Sequence, residues 1–206
     1  MEAAREEGPI DMTGKRDRKA LLWMAGIAAL AAVARIVYMI EVHDHPLQMV
    51  ATADPRIYDL RALEILRGRW LPDDVFFHSS PIYPYILAGI YGLFGHSYTA
   101  VRLVQSAFGV GTVLVLFSIA RRLFGPREAV VAGVLSSLYV AFIFFDSELL
   151  MITFVVFFAV AALSLLLRYA ERPTAAVLFG AGLLLGLAAL GKPNVLLFVP
   201  VALFWL

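Results

Sequence analysis

The sequence predicts an all-α integral membrane protein, a multi-pass helical bundle, and three observations carry that reading. Hydrophobic residues make up 61% of the 206 residues, and the mean hydropathy is +0.82, against the roughly 45–50% apolar usage of soluble globular domains. Apolar runs recur along the chain at lengths near the about 20 residues that cross a hydrocarbon layer about 30 Å thick. The polar residues are gathered between those runs rather than spread through them. A net charge of only +1 gives no argument for a nucleic-acid partner. The absence of cysteine excludes disulfides, thiolate metal sites and a cysteine nucleophile.

Residues 1–19 are hydrophilic and mix acids with bases, and no small-residue cleavage site follows the next apolar run. They are expected to be a disordered cytosolic tail and not a removable signal peptide. Span 20–40 comes next, interrupted by Arg35 near its far end. Lys15, Arg16, Arg18 and Lys19 precede it directly and orient the N-terminus to the cytosol. The loop 41–97 then begins outside.

Within that loop Asp54-Pro55 starts a helix over about 55–67, with Asp as N-cap, Pro at the first helical position and Gly68 at the close. Arg56, Asp59, Arg61, Glu64 and Arg67 interleave with Ile57, Leu60, Leu63, Ile65 and Leu66, the pattern of a helix lying along a membrane surface. The apolar run 81–94 holds 14 residues and would reach only about 21 Å as a helix. It is therefore expected to be a surface or re-entrant helix, which leaves Arg121, Arg122, Arg127, Arg168 and Arg172 on the cytosolic side with the tail. Further spans are expected over 98–120, 129–145, 149–167 and 175–190. The run 193–206 reads as a truncated sixth span, and the chain as an N-terminal piece of a longer protein.

The order of short motifs resembles a known group. Asp54-Pro55-Arg56-Ile57-Tyr58 is followed by Ala62, Gly68 and Trp70. Phe76 to Tyr85 precedes the short apolar helix. Then come Arg102-Leu103, Arg121-Arg122-Leu123-Phe124-Gly125, Phe145-Asp146 and Gly191-Lys192-Pro193. In order and spacing this is similar to the membrane glycosyltransferases of the GT-C fold, the group related to protein O-mannosyltransferases and the lipid A aminoarabinose transferase. The resemblance implies transfer of a sugar from a polyprenyl-phosphate carrier to an acceptor protein, lipid or glycan outside the membrane, with inversion at the anomeric carbon. It also implies that Asp54 sits where the family keeps its catalytic acidic residue. Relatives commonly carry Glu-Lys before Pro-Pro where this chain has His78-Ser79-Ser80-Pro81.

Each candidate site residue has a chemical reading and a plain one. Asp54 is a general base toward an acceptor hydroxyl, or only an N-cap. Asp59 is expected to be a solvated helix residue, and with Tyr58 and Tyr83 it supports the loop. Asp146 and Glu148 follow Ala141 to Phe145 at a membrane exit, as a second acidic site or an ordinary loop end. Arg35 and Arg102 lie near the outer ends of their spans. Each can hold the carrier phosphate, neutralise one of these acids, or snorkel to the headgroups. Lys192 is a phosphate contact or an interface anchor. His43, Asp44, His45, His78 and His96 could serve a divalent metal ion, although no spacing matches a known site. Tyr83, Tyr85, Tyr91, Phe76 and Phe77 suit an interfacial aromatic belt or an isoprenoid groove. The rival readings are a transporter or flippase, which would line its middle with polar residues in both halves, and a non-catalytic membrane scaffold. The clustering of polar residues at one face favours the enzyme.

Overall fold

The computed structural model describes residues 12–43, 54–71 and 80–205, and all regular structure among them is helical. The chain is an all-helical integral membrane bundle. Helix α1, Met12–Glu41, begins well inside the expected disordered tail, so the basic residues before the first apolar run continue the helix. Helices α2, Asp54–Leu66, and α3, Tyr83–Phe94, are short. Helix α4, Tyr98–Leu123, starts at a Ser97 cap whose hydroxyl accepts from the Ala100 N–H.

The expected straight span 129–145 is broken. Its place is taken by α5, Pro126–Ser137, and α6, Val140–Ser147, bent by 48°. The break has a local cause. Ser136 and Ser137 donate their hydroxyls back to the carbonyls of Ala132 and Gly133 at 2.7 Å each, which bends helices. Tyr139 then takes an extended conformation, with φ −68° and ψ 109°. Helix α7, Ile152–Glu171, starts later and ends later than the expected 149–167. Helix α8, Ala175–Gly191, is followed by a 3₁₀ turn, Pro193–Leu197, and α9, Phe198–Trp205. The last run is therefore not one straight helix.

By length and apolar content three helices can cross a membrane, or four with the bent pair counted as one. That is fewer than the five complete spans expected, because α8 has only 17 residues. It nevertheless runs antiparallel along α7, with Gly180 near Leu165 at one end and Gly191 against Met151 and Val155 at the other. The bundle buries little of these helices. Leu21, Leu22, Trp23, Val33, Ile36, Val37 and Ile40 of α1 are exposed, a surface made for lipid rather than water.

The direction of the helices decides where the polar loop lies. Ile27 and Ala31 of α1 share a core with Val113, Phe117 and Ala120 late in α4, whereas Met39 meets Ser106 early in it. Helices α1 and α4 are therefore antiparallel, and the chain leaves one and enters the other at the same end. Helix α3, with 12 residues, sits within that excursion. The opposite end is basic: it holds Arg18 and Lys19 of α1, Arg121 and Arg122 of α4, Arg127 of α5, and Arg168 and Arg172 at the end of α7. There Arg122 Nε lies 3.5 Å from Glu171 Oε1.

Candidate active site at the loop end of the bundle

Helix α4 presents Arg102, Gln105, Gly109 and Thr112 to the end of α6 and the start of α7, at the helical spacing that keeps side chains on one face. Gln105 is fully buried. Its Nε2 donates to the carbonyl oxygens of Asp146 at 3.1 Å and Glu148 at 2.6 Å, and its Oε1 accepts from the Tyr83 hydroxyl at 2.6 Å. Arg102 Nε donates to the Ser147 carbonyl at 3.0 Å, and its guanidinium lies in electrostatic reach of Glu148.

The Asp146 side chain points the other way. Its Oδ2 accepts from Arg35 Nε at 2.7 Å, and its Oδ1 from the Thr153 hydroxyl at 2.8 Å. Arg35 also donates from Nη1 to the Ala31 carbonyl of its own helix at 3.1 Å. Both side chains are sealed, at 1% and 5% exposure. Of the roles open to Arg35, the structure assigns neutralisation of Asp146. Gly109 makes room for the pair, since a Cβ there would overlap the Asp146 carboxylate and press on Arg35 Nε. Beside the pair, at the elbow of α5 and α6, lies an apolar cleft of about 190 Å³ whose lining includes Thr112, Tyr139, Phe142, Phe145 and Thr153.

The loop helices close onto the same place. Tyr58 and Tyr83 meet edge to face at 4.9 Å, and the Tyr58 hydroxyl accepts from the Ser80 N–H at 3.3 Å. The Ser80 hydroxyl donates to the Leu190 carbonyl at 3.2 Å, two residues before Lys192, which is exposed. Burial holds the Tyr83 phenol well above its ordinary pKa, so it stays a donor. Asp54 opens α2 one turn before Tyr58 and is exposed.

Asp59 corrects an expectation. It is not solvated but buried at 6% exposure, and it ties three elements together. Its Oδ1 meets the Tyr91 hydroxyl at 2.7 Å and His96 Nε2 at 2.8 Å, and its Oδ2 meets the Tyr98 hydroxyl at 3.0 Å. Burial first, and then the bond to Asp59, push the Tyr91 phenol up from its ordinary value. Asp59 thus anchors α2 to α3 and α4. His78, Asp44 and His45 lie outside the described residues. Among the described residues no three His, Asp or Glu side chains gather as metal ligands.

Sequence reasoning brought Arg35, Arg102, Asp146, Glu148, Tyr58 and Tyr83 to attention, and the structure gathers them. It missed Gln105, Gly109, Ser80 and Thr153. Gln105 carried a signal, being an amide inside an otherwise apolar run, which is costly in a membrane unless partnered.

The family described as dolichyl-phosphate-mannose-protein mannosyltransferase matches residues 78–206. No curated protein and no solved structure matches the chain. The matched stretch includes Gln105, the acidic turn and Lys192, while Arg35 and Asp54 precede it.

Proposed function

Because the chain belongs to the dolichyl-phosphate-mannose-protein mannosyltransferase family, and so is a membrane glycosyltransferase of the mannosyltransferase type, we propose that it moves a hexose from a polyprenyl-phosphate carrier to an acceptor hydroxyl outside the membrane, with inversion. The observation that carries this reading is the meeting of Tyr58, Tyr83, Gln105 and the acidic turn at the end of the bundle opposite Arg121, Arg122, Arg127, Arg168 and Arg172. The short segments that carry Arg18, Lys19, Arg121, Arg122, Arg127, Arg168 and Arg172 face the cytosol in this reading, and the loop end therefore faces outward.

In the proposed reaction the acceptor oxygen attacks the anomeric carbon from the side opposite the phosphate. The bond from that carbon to the phosphate oxygen breaks, and its electron pair leaves on the polyprenyl phosphate. Asp54, exposed at the start of α2, takes the acceptor's proton as a general base. Arg102 and Lys192 hold the carrier phosphate through charge-assisted hydrogen bonds. His78 is assigned in this reading, from its place in the sequence alone, to the carrier phosphate or a divalent ion bound with it. Of the protein, lipid and glycan acceptors open to this reaction, we favour a protein hydroxyl, a choice supported by the wording of the family description.

The test is incorporation of labelled mannose from dolichyl-phosphate mannose into protein by the purified full-length protein in vesicles. Transfer that requires Asp54 is the expected result. Absence of transfer by the wild-type protein, in vesicles where a known mannosyltransferase works, would overturn the reading.

A further inference from the structure

The end of the bundle away from the loop gathers cations from connections far apart in sequence. Arg121 and Arg122 lie in the last turn of α4, and Arg127 lies in the first turn of α5. Arg168 lies in the last turn of α7, with Arg172 just beyond it. All five are exposed, and the contact of Arg122 Nε with Glu171 Oε1 at 3.5 Å brings the end of α7 to the turn between α4 and α5. Arg168 precedes Glu171 by three residues, so the two are neighbours on the surface of α7. Among the described side chains at this end only Glu128 and Glu171 are acidic, and each has a local partner. Glu171 lies beside Arg122, and the Glu128 carboxylate folds back over Gly125 at the start of α5, where a negative charge suits the helix dipole. The arginine heads are left as a positive surface.

The same turn is also apolar. Gly125, at φ +117°, swings the chain from Phe124 directly into Pro126 of α5, and the short connection leaves Leu123 and Phe124 uncovered, Phe124 at 71% exposure. An aromatic ring at the end of a membrane helix sits at headgroup level, which puts the arginines on either side of it at the depth of lipid phosphates. Their chemistry fits that depth. Orientation of a span is served as well by lysine as by arginine, but all five of these cations are arginines, whose planar fork meets a phosphate through two parallel hydrogen bonds. A phospholipid satisfies both features together, since its phosphate takes the guanidinium groups and its acyl chains cover Leu123 and Phe124. We propose that this end is a binding surface for anionic phospholipid headgroups of the cytosolic leaflet, with Arg121, Arg122 and Arg127 as the residues that hold the phosphate. That leaflet's negative surface potential draws cations placed next to a span. The surface lies at the opposite end from the reaction site and is independent of how that site works.

The test uses the absence of cysteine from the chain. The full-length protein receives one dye, on a cysteine placed either at exposed Ala170 at this end or at exposed Arg69 at the loop end. It is reconstituted in phosphatidylcholine vesicles containing a small fraction of tail-labelled phosphatidylglycerol or, in the control, tail-labelled phosphatidylcholine. Energy transfer then reads which lipid gathers at each end. Phosphatidylglycerol should exceed phosphatidylcholine at position 170 and not at 69, and the excess should shrink as salt rises, because the attraction is screened. Each arginine contributes about fivefold to the affinity for anionic lipid. Replacing Arg121, Arg122 and Arg127 together with Gln should therefore weaken phosphatidylglycerol binding about 100-fold and abolish the excess. Arg127→Gln alone, with a loss of about fivefold, carries the comparison if the triple variant does not insert. Equal transfer from the two lipids at position 170, an equal excess at 69, or an excess that survives the arginine substitutions would overturn the proposal.

Discussion

Arg35 and Asp146, 111 residues apart in sequence, meet at 2.7 Å between Nε and Oδ2 with almost no exposure. This buried pair joins α1 to α6 inside an apolar bundle. Breaking such a pair by removing one partner leaves an uncompensated charge and costs about 3–5 kcal/mol, whereas replacing both with apolar groups can be nearly neutral. Arg35→Met or Asp146→Leu alone should therefore lower the thermal midpoint of the detergent-solubilised protein sharply. The double variant should recover most of the loss. A double variant as unstable as the two singles combined would show that the ion pair itself is not what the single variants disrupt.

Gly109 lets the pair exist. Gly109→Ala should prevent folding or displace the pair, because the new methyl would occupy the carboxylate's place. Gly89→Ala in α3 has no atom within 4 Å to meet and should stabilise by up to about 1 kcal/mol, as alanine does in helix interiors. Expression and thermal midpoint of the two variants, measured side by side, check the contrast.

The Asp59 anchor predicts an alkaline limit. Burial and the bond to Asp59 raise the Tyr91 phenol above the ordinary tyrosine value of about 10 in the folded protein, so the unfolded chain gives up its proton first as pH rises. The unfolded state then binds fewer protons than the native one, and stability falls with pH from about 10 upward. Below that pH the full contribution is present. Tyr91→Phe should remove part of this alkaline loss while lowering stability near neutral pH through the missing bond to Asp59. An unchanged alkaline slope in thermal melts between pH 9 and 11 would contradict the assignment.

The orientation is open to chemical labelling, since the chain contains no cysteine. Arg69 and Lys192 are exposed at the loop end, and Arg127 is exposed at the basic end. Single cysteines at 69 and 192 should react with an impermeant thiol reagent in intact cells, and a cysteine at 127 only after permeabilisation. Reaction at 127 alone would invert the orientation.

The membrane class and most helices were legible because apolar runs and their basic flanks are one-dimensional signals. Asp54-Pro55 marked the start of α2, and Gly68, at φ +88°, marks the turn just beyond its end. What escaped was three-dimensional. Asp59 looked like one more charge on a surface helix, because nothing in its own helix announces that Tyr91, His96 and Tyr98, 32 to 39 residues later, will converge on it. The break at Tyr139 was hidden inside an apolar run, although Ser136-Ser137 was its visible cause. Arg35 and Asp146 were each marked as costly in a membrane, yet only the antiparallel packing of α1 on α4 brings them together.

Asp54 separates capping from chemistry in one substitution. Asn caps a helix start about as well as Asp, because its side-chain oxygen can accept the same backbone hydrogen bond, but a neutral amide cannot serve as a general base. Asp54 is exposed at the first position of α2, so neither Asn nor Ala disturbs the core. Asp54→Asn should leave the thermal midpoint nearly unchanged while transfer of mannose falls by about 10² to 10⁴, the usual contribution of a positioned acid or base. Asp54→Ala should lose the same activity and about 1 kcal/mol of helix capping as well. Both variants should lose turnover although only Asp54→Ala loses stability, whereas a purely capping aspartate would leave turnover intact in Asp54→Asn. Wild-type turnover by Asp54→Asn would remove Asp54 from the reaction and leave it only the helix cap.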